Sequence, residues 1–580
     1  MRTTRAIRLA STILAMTLAH SALAETTPPR PDTLAPWYAP ASQRAQQFAA
    51  FTEIARRDVV DFQPFRAELT ATEADGTALR LISLNPYANA WFLLETGSGA
   101  EAEQWHLENP APELFALSLD PEAGALVIET PAGRQTCTPW DGALAQARAS
   151  DLPYAPLCDA QLFLRNPGSG SRTMRESVTE FLRGYVPFGE SLIDLVRGAL
   201  YTDAWMESGQ IMDAAAAGET VAALGRARLR QHPAMRSNLR ADLVGGDPAR
   251  MEAGAWYALD AAPGIYASIA QPGLVHPDIL NRRGETNALD GVENNADVYL
   301  FAFDLDRFEL RYETGTDHPA VTWSPRPSGI NRRGLPGPDG FDTLAPLAMT
   351  GMLNPALGER VAAIFAGGFK REHAAFRSGP YASGNQGHHY GFVVHGVTLS
   401  RLQPGLATLF SLDDGSIHMR TWREEDQALL PRIRFARQNG LPLVEPGPDD
   451  APVAGPMVRQ WVPGNWMGSG EAQLRTLRGG ACMRQIDGRP FLHYAVFTAA
   501  TPSAMTRVFQ AYGCDYAMLL DMNSLELAYG AIFTREGETR GIVHLDHRMS
   551  EADQTRRDGT ALGRFVDFPD NRDFFYLLRR

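Results

Sequence analysis

The chain has 580 residues, enough for several domains and a large buried core. Its formal net charge of −13 disfavours general nucleic-acid binding, because such binding needs a basic surface. Lys370 is the single lysine, and Arg371 follows it where Ser or Thr would be needed, so no Walker A phosphate-binding motif is present. The GxSxG motif of serine hydrolases and the HExxH motif of zinc proteases are also absent.

Residues 1–24 have the parts of a secretory signal peptide. Three arginines precede the short apolar stretch Leu9–Leu18, and Ala22-Leu23-Ala24 forms a cleavage site. A transmembrane anchor is the alternative, but the stretch is too short and is interrupted by Ser and Thr. No later segment is apolar enough to span a bilayer. We therefore expect an exported protein, periplasmic or extracellular, without a transmembrane segment after signal removal.

Four cysteines allow three disulfide pairings. In an oxidising compartment we expect the local pairs Cys137–Cys158 and Cys482–Cys514, and four unpaired buried thiols are the alternative. No CxxC spacing occurs, which disfavours a zinc knuckle or a thioredoxin-type site.

Residues 25–165 are predicted to form a β-rich N-terminal domain. Short apolar runs separated by turn signals indicate an antiparallel sheet or sandwich. Trp105, Trp140 and Tyr154 are interpreted as core aromatics, with a sugar-stacking face as the alternative. The predicted strands include Leu79–Leu84, Ala90–Glu95, Leu114–Leu119 and Ala125–Glu129.

Residues 166–248 are predicted to form a helical linker or insert, which leaves 249–580 as a C-terminal domain. The helical patterns cover 173–185, 188–201 and 211–230.

Several strands are predicted in the C-terminal domain. Val298–Asp304 and Phe308–Tyr312 are interpreted as a strand pair with a tight turn between them. Asp304 and Asp306 are assigned to that turn, because the other oxygen ligands of a calcium loop are missing. Gly405–Trp422 predicts a hairpin, since it has an Asp-Asp-Gly turn between two strands.

Two groups of residues beside predicted strands are candidate site residues. Gly367 and Gly368 end an apolar strand and would let it bend under a ligand, and a plain turn is the alternative. His388, His389 and His395 form the densest histidine cluster, which suits general acid–base chemistry or metal binding. The alternatives are a solvated loop for the first two and packing within a hairpin for His395.

A third candidate lies in the segment Met505–Phe533. A short helix ending at Gly513 precedes the apolar strand Tyr516–Leu520, and Asp521 and Asn523 follow it. Polar residues at strand ends of α/β sheets form ligand sites, which makes Asp521 a site candidate. The alternative is a turn in which these side chains satisfy their own backbone.

These landmarks resemble the phosphodiester glycosidase family, in the right order over about residues 262–572. The family's last motif reads roughly Gly-Ala-x-x-Ala-x-Asn-Leu-Asp-Gly-Gly-Gly-Ser, and Gly513, Ala517, Leu520 and Asp521 match it. Gly367-Gly368-Phe369 is similar to the family's Asn-Gly-Gly-Phe-Phe. The Arg that precedes a hairpin in the family is matched most closely by Arg478.

The sequence departs from the family at several of these positions. Ala366 and Leu519 stand where the family has Asn, and Met522-Asn523-Ser524 replaces its glycines. Side chains in place of glycines are expected to change or close the pocket.

The resemblance implies an α+β or mixed fold with a C-terminal α/β domain, and an exported hydrolase of sugar phosphodiesters or envelope polysaccharide. Its catalytic residues would be Asp521 and His389. No cofactor is identified, a divalent metal is left open, and the oligomeric state is not indicated. The alternative function is a non-catalytic protein that binds a glycan or a protein partner. The residues expected to bind the carbohydrate or sugar-phosphate ligand are Gly367, Gly368, His388, Arg478 and Asn523.

Overall fold

The structure, a computed structural model, describes most of the chain from Ala67 onward. The predicted signal peptide, the predicted helices at 173–185 and 188–201, and the candidates His388, His389 and Asn523 lie outside the described residues, so these expectations stay predictions. The described residues are 67–99, 102–171, 211–213, 215–216, 219–282, 284–316, 347–368, 391–400, 402–448, 451–459, 475–522, 524–537 and 539–580.

The described N-terminal region is built from antiparallel strands, as its sequence pattern predicted. Its elements are β1 (Ala67–Thr72), β2 (Ala78–Ser83), β3 (Trp91–Thr96), β4 (Glu103–Glu108), β5 (Ala116–Asp120), β6 (Ala125–Thr130), β7 (Gly133–Cys137), α1 (Ala143–Ala149), β8 (Tyr154–Leu157) and β9 (Leu162–Arg165). One sheet has the order β1-β2-β3-β4-β9-β8, and a second has the order β5-β6-β7. Trp105 and Tyr154 are buried, which confirms their assignment to the core.

Residues 211–316 contain short strands rather than long helices. Their elements are β10 (Ile211–Met212), β11 (Ala234–Arg236), β12 (Arg250–Glu252), β13 (Tyr257–Ala258), β14 (Ile265–Ala270), α2 (Pro277–Leu280), α3 (Gly291–Asn295), β15 (Val298–Asp304) and β16 (Phe308–Glu313). The helix predicted for 211–230 is therefore wrong in its described part. The Val221 N–H donates to the Trp256 carbonyl at 2.8 Å, so this segment hydrogen-bonds to a neighbouring segment rather than to itself.

The next described segments alternate with undescribed ones and also consist mainly of strands. Their elements are β17 (Val361–Ala366), β18 (Phe392–Val394), β19 (Val397–Ser400), β20 (Ala407–Leu412), β21 (Ile417–Thr421), β22 (Ile433–Gln438), β23 (Pro442–Pro446) and β24 (Pro452–Ala454). β20 and β21 pair in antiparallel fashion across the Asp-Asp-Gly turn, which confirms the predicted hairpin.

The last described segments contribute the longest strands and one helix. Their elements are β25 (Thr476–Ile486), β26 (Arg489–Ala500), α4 (Pro502–Ala511), β27 (Tyr516–Met522), β28 (Gly530–Glu536), β29 (Thr539–His544), β30 (Gln554–Thr555), β31 (Ala561–Leu562) and β32 (Phe574–Arg579). Gly513 follows α4 with a φ of 72°, which confirms the predicted glycine stop. No described helix is long and apolar enough to cross a membrane.

Three larger sheets organise residues 257–579. Their strand orders are β13-β14-β15-β26-β25-β27-β23-β24, then β16-β32-β17-β28-β29, then β19-β18-β22-β20-β21. Every pairing between these strands is antiparallel. The predicted α+β or mixed fold with an α/β C-terminal domain is therefore wrong. Apolar runs such as Tyr516–Leu520 indicate a strand buried on both faces, and burial alone does not distinguish parallel from antiparallel neighbours.

The predicted pairing of β15 with β16 is also wrong, although both strands exist. β15 pairs with β14 and β26, whereas β16 pairs with β32 in a different sheet. The connection at 305–307 carries the chain from one sheet to the next. Asp304 forms an ion pair there with Arg489, and its Oδ1 accepts from the Asp306 N–H at 3.1 Å, which fits the predicted turn.

Both expected disulfides are present. Cys137 is bonded to Cys158, and Cys482 is bonded to Cys514. The second bond joins β25 to the residues that follow α4, beside a histidine that is wholly buried. Burial lowers the pKa of this residue, His493, to about 3, and the positive charge of Arg484 adds to the effect. The imidazole is therefore neutral at physiological pH.

The buried imidazole of His493 predicts a loss of stability in mild acid. An unfolded histidine binds a proton below about pH 6.5, whereas His493 in the folded protein does so only near pH 3. Its stabilising contribution is thus complete above pH 6.5 and falls by about 1.4 kcal/mol per pH unit below it. Urea unfolding at pH 7 and pH 5 should show a steeper decrease for the parent protein than for His493→Phe. Equal decreases would contradict a neutral buried imidazole.

Candidate functional site

Asp521 lies near the end of β27, within the sheet rather than in the loop beyond it. Only 2% of its surface is exposed. Its Oδ2 accepts a hydrogen bond from Arg572 Nη1 at 2.8 Å, and its Oδ1 accepts from the Met522 N–H at 2.9 Å. Because an ion pair stabilises the charged carboxylate, this arrangement suits a base, a nucleophile or a positioning group better than a proton donor.

Arg572 belongs to a buried polar segment, Asp570-Asn571-Arg572-Asp573, directly before β32. Its charged residues contact different elements, since Asp570 binds Arg564 and Arg572 binds Asp521. Asp573 accepts hydrogen bonds from the Tyr312 hydroxyl at 2.6 Å and the Gly315 N–H at 3.1 Å. The sequence analysis missed this segment. The signal for it was a run of charged residues immediately before the apolar strand Phe574–Leu578.

Gly367 and Gly368 lie beside this segment at the end of β17. The Gly367 N–H donates to the Asp573 carbonyl at 2.8 Å. Gly368 has a φ of 117°, and a Cβ at this position would lie 3.0 Å from Cγ of Asn439. The glycine therefore permits close approach of an amide side chain of the same chain. Asn439 in turn donates from Nδ2 to the Leu519 carbonyl at 2.8 Å, which links β17 to β27.

Gly368→Ala tests this contact. The change should destabilise the protein by about 1–3 kcal/mol, because it adds backbone strain and pushes the buried Asn439 amide. Gly488→Ala is the matched control. Gly488 also has a positive φ, of 78°, but a Cβ there would contact nothing within 4 Å. Thermal unfolding of both variants separates the cost of backbone strain from the cost of the contact with Asn439. Equal losses of stability in the two variants would show that the Asn439 contact adds nothing.

Arg478 is the fourth predicted residue in this region. It lies in β25 opposite Met522 and is completely buried. Its Nε donates to the Ala500 carbonyl at 2.7 Å, its Nη1 lies 3.3 Å from Met522 Sδ, and its Nη2 has no hydrogen-bond partner among the described residues. Burial lowers the pKa of Arg478 to about 10, although the charge of Glu293 acts in the opposite direction.

The structure thus brings together three of the seven predicted site residues, Asp521, Gly367 and Gly368, and places a fourth, Arg478, beside Met522 instead. We call the group of three, with two residues that the sequence analysis missed, the Asp521 site. The other three predicted residues lie outside the described part of the chain. The members of the Asp521 site are Asp521, Gly367, Gly368, Arg572 and Asn439.

A second buried polar cluster joins the N-terminal sheet to the C-terminal region. Arg165 on β9 forms ion pairs with Glu108 on β4 and, at 3.4 Å, with Glu313 on β16. His395, between β18 and β19, contacts the other oxygen of Glu313 at 3.0 Å. Burial would raise the pKa of Glu313, but Arg165 and His395 outweigh it and hold this pKa below its ordinary value. We call these four residues the Arg165 cluster.

Within the Arg165 cluster, the two carboxylates and the histidine suit the guanidinium of Arg165 better than a metal ion. Ligand atoms of Glu108, Glu313 and His395 lie within 4.8 Å of one another, which is close enough for a shared cation. However, Arg165 contacts both carboxylates, and Asn354 Nδ2 donates to the remaining oxygen of Glu108 at 2.7 Å. A cation would have to displace these partners. The alternative given for His395, packing within a hairpin, agrees with this placement, since its ring centroid lies 5.1 Å from that of Trp91.

The N-terminal sheet also carries a half-open groove of about 1010 Å³. Its walls come from β1 to β4 and include Arg80, Glu95 and Gln104. Arg80 forms an ion pair with Glu95 at 2.6 Å, so the charges of this groove are largely matched within the chain. The groove contains none of the residues of the Asp521 site.

Comparisons with known proteins give weak similarity at the level of the fold. No family model and no curated protein matches the chain. A solved structure of the zebrafish N-acetylglucosamine-1-phosphodiester alpha-N-acetylglucosaminidase catalytic domain, auto-inhibited by its pro-peptide, is 8% identical with a TM-score of 0.27, and the match covers 65% of this chain and 98% of the zebrafish chain. A Burkholderia pseudomallei protein, described as exported by inference only, is 12% identical with a TM-score of 0.21 over 50% of this chain and 76% of its own. The chain is thus weakly similar in fold to a glycosidase domain, and similarity this low assigns it no activity.

Proposed function

We propose that the protein is an exported hydrolase of glycosyl phosphodiesters or of a phosphate-containing envelope polysaccharide, acting at the Asp521 site. The observation that carries this proposal is the buried ion pair between Asp521 and Arg572 beside the glycine pair Gly367–Gly368. The same aspartate and glycines are the residues that resemble phosphodiester glycosidase motifs in the sequence. Two disulfides agree with an oxidising compartment, which supports export.

The charges of the Asp521 site suit an anionic substrate. Arg572 places one guanidinium group on the Asp521 carboxylate, and a guanidinium binds phosphate oxygens in a bidentate manner. Arg478, which would bind the same phosphate, lies on the neighbouring strand β25 beside Met522. Asp521, paired with Arg572, would attack the sugar carbon or activate water. Glycoside cleavage also needs an acid for the leaving oxygen. We assign that role to His389, with His388 and Asn523 as substrate-binding residues.

A divalent cation is an open part of this proposal. Within the described residues, Asp521 belongs to no group of three His, Cys, Asp or Glu side chains close enough to share an ion. Any metal at this site would therefore need the substrate phosphate or His388 and His389 as further ligands.

A specific observation favours the alternative function, a non-catalytic glycan-binding or partner-binding protein. Both carboxylate oxygens of Asp521 already have partners within the chain, and the side chain of Asn439 occupies the space next to Gly368. Ala366 and Met522 also stand where the family has an amide and a glycine. Binding without turnover would be the behaviour of such a site.

The test is turnover by the mature protein of chromogenic glycosyl phosphodiesters, assayed with EDTA and with Mg²⁺, Ca²⁺ or Zn²⁺. Matched chromogenic glycosides that lack phosphate are the substrate control. We expect turnover of the phosphodiesters only. Hydrolysis of the plain glycosides alone would contradict a phosphate-dependent site. Saturable binding of a phosphodiester in calorimetry, without product, would favour the non-catalytic alternative.

A further inference from the structure

The side chains around the Cys482–Cys514 disulfide have the composition of a metal site. His493 on β26 pairs directly with Cys482 on β25, and its Nδ1 is 3.5 Å from the Cys482 Sγ. The ligand atoms of these three residues lie within 4.8 Å of one another, and all three are completely buried. Among the described residues, no such group surrounds the Cys137–Cys158 disulfide.

We propose that Cys482, Cys514 and His493 bind one soft d¹⁰ cation, Zn²⁺ or Cu⁺, when the disulfide is reduced. Thiolate and imidazole ligands are those that such cations prefer. Bond lengths of about 2.3 Å to sulfur and about 2.0 Å to nitrogen at a tetrahedral angle place the two ligand atoms roughly 3.6 Å apart. The observed Nδ1 to Sγ distance of 3.5 Å already meets this requirement.

The hydrogen bonding of His493 is a second and independent observation. Its Nε2 has no hydrogen-bond partner among the described residues, and its Nδ1 faces only a disulfide sulfur, which is a weak acceptor. The ring is held in place by Trp256, whose ring centroid is 4.9 Å away. A buried imidazole without strong partners is costly in an oxidised core. When the disulfide is reduced, the Nδ1 atom of His493 would be a strong metal ligand.

Reduction of the Cys482–Cys514 disulfide needs a dithiol reductant. The reductant transfers two electrons and two protons to the Cys482–Cys514 bond and becomes a cyclic disulfide, which leaves two protein thiols. On metal binding these thiols release two protons to solvent and bind as thiolates, while His493 binds through neutral Nδ1. The two sulfur atoms, no longer bonded to each other, would lie roughly 3.8 Å apart, the spacing that two such bonds at a tetrahedral angle require.

The experiment uses two double variants of the mature protein. Cys137→Ser/Cys158→Ser keeps only the cysteines of the proposed site, and Cys482→Ser/Cys514→Ser keeps only the other pair. Each protein is reduced with dithiothreitol in mild urea, refolded without oxygen, and titrated with Zn²⁺ or Cu⁺ against a chromophoric chelator. Co²⁺ is used as a spectroscopic probe, because thiolate ligation gives sulfur-to-cobalt charge-transfer absorption.

We expect one equivalent of Zn²⁺ or Cu⁺ and a thiolate–cobalt band in the first double variant only. Adding His493→Phe to that variant should weaken binding at least about tenfold, since it removes one of three ligands. This comparison keeps both cysteines, so it remains decisive if Cys482→Ser/Cys514→Ser does not fold. Equal binding with and without His493, or no metal retained by the first variant, would overturn the proposal.

Discussion

Asp521→Asn is expected to lower turnover of a glycosyl phosphodiester by about a hundredfold or more. A positioned base or nucleophile contributes on this scale, and Asn has the same shape without the charge. The ion pair with Arg572 would be lost as well, so folding must be checked by near-UV circular dichroism. The double variant Asp521→Asn/Arg572→Gln removes both charges. It should recover stability lost in the single variant without recovering turnover.

Asp304→Asn is the matched control for this experiment. Asp304 is also a completely buried aspartate at the end of a strand of the same sheet, and it is also paired with an arginine, Arg489. Asp304 lies across from Phe491 on β26, which lies across from Arg484 on β25. Met522, next to Asp521, lies across from Arg478 on the same strand. Arg484 and Arg478 are six residues apart, so the two aspartates lie roughly 20 Å apart along the sheet. Loss of Asp304 should reduce stability and leave kcat/KM unchanged. Unchanged turnover in folded Asp521→Asn would remove Asp521 from the mechanism.

Arg165→Met should destabilise the protein by about 3–5 kcal/mol, the largest stability effect that we expect. Methionine keeps much of the volume but leaves Glu108 and Glu313 buried near each other without their shared cation. Urea unfolding at neutral pH measures this loss. Arg148→Met is the control for a surface pair, because Arg148 and Glu103 are both largely exposed, and it should cost less than about 1 kcal/mol.

The Arg165→Met penalty should depend on pH in a defined direction. The pKa of Glu313 lies below its ordinary 4.5 in the folded protein, so its stabilising contribution is complete above about pH 4.5 and is lost as the pH falls through the folded value. The Arg165→Met variant has already lost this contribution. The difference in the free energy of unfolding between the variant and the parent protein should therefore shrink in acid. Adding Glu108→Gln and Glu313→Gln should restore stability at pH 7. A constant penalty across pH would mean that the lost packing of Arg165, not its charge, is responsible.

Local sequence patterns located individual strands well but did not identify their partners. Val298–Asp304 and Phe308–Tyr312 were predicted as strands from their apolar and alternating residues, and both exist, the second extending to Glu313. The turn at 305–307 sends them into separate sheets. β15 pairs with its near neighbour β14 and with the distant β26, and β16 pairs with the distant β32. Pairing over such separations depends on how whole faces pack, which no short window of sequence contains.

The Asp521 site was predicted in part for a similar reason. Asp521, Gly367 and Gly368 were accessible to sequence reasoning, because an aspartate after an apolar run and a glycine pair after another are local signals. Arg572 was not, since its partner lies 51 positions away and its own neighbourhood contains only a charged run. Asn439 was not among the predicted site residues, and only its contact with Gly368 gives it a role.

The position of β32 determines how late in synthesis its sheet can close. Phe574–Arg579 lies between β16 and β17, and Phe308 pairs with Arg579, so the sheet stays open until residues some 270 positions apart are both available. A ribosome would have to synthesise almost the whole region before that sheet could close. The export that we propose would take place before this closure, because a chain whose sheet is still open can pass through a narrow channel. Burial of Asp521, which contacts the segment directly before β32, would then be completed only in the destination compartment.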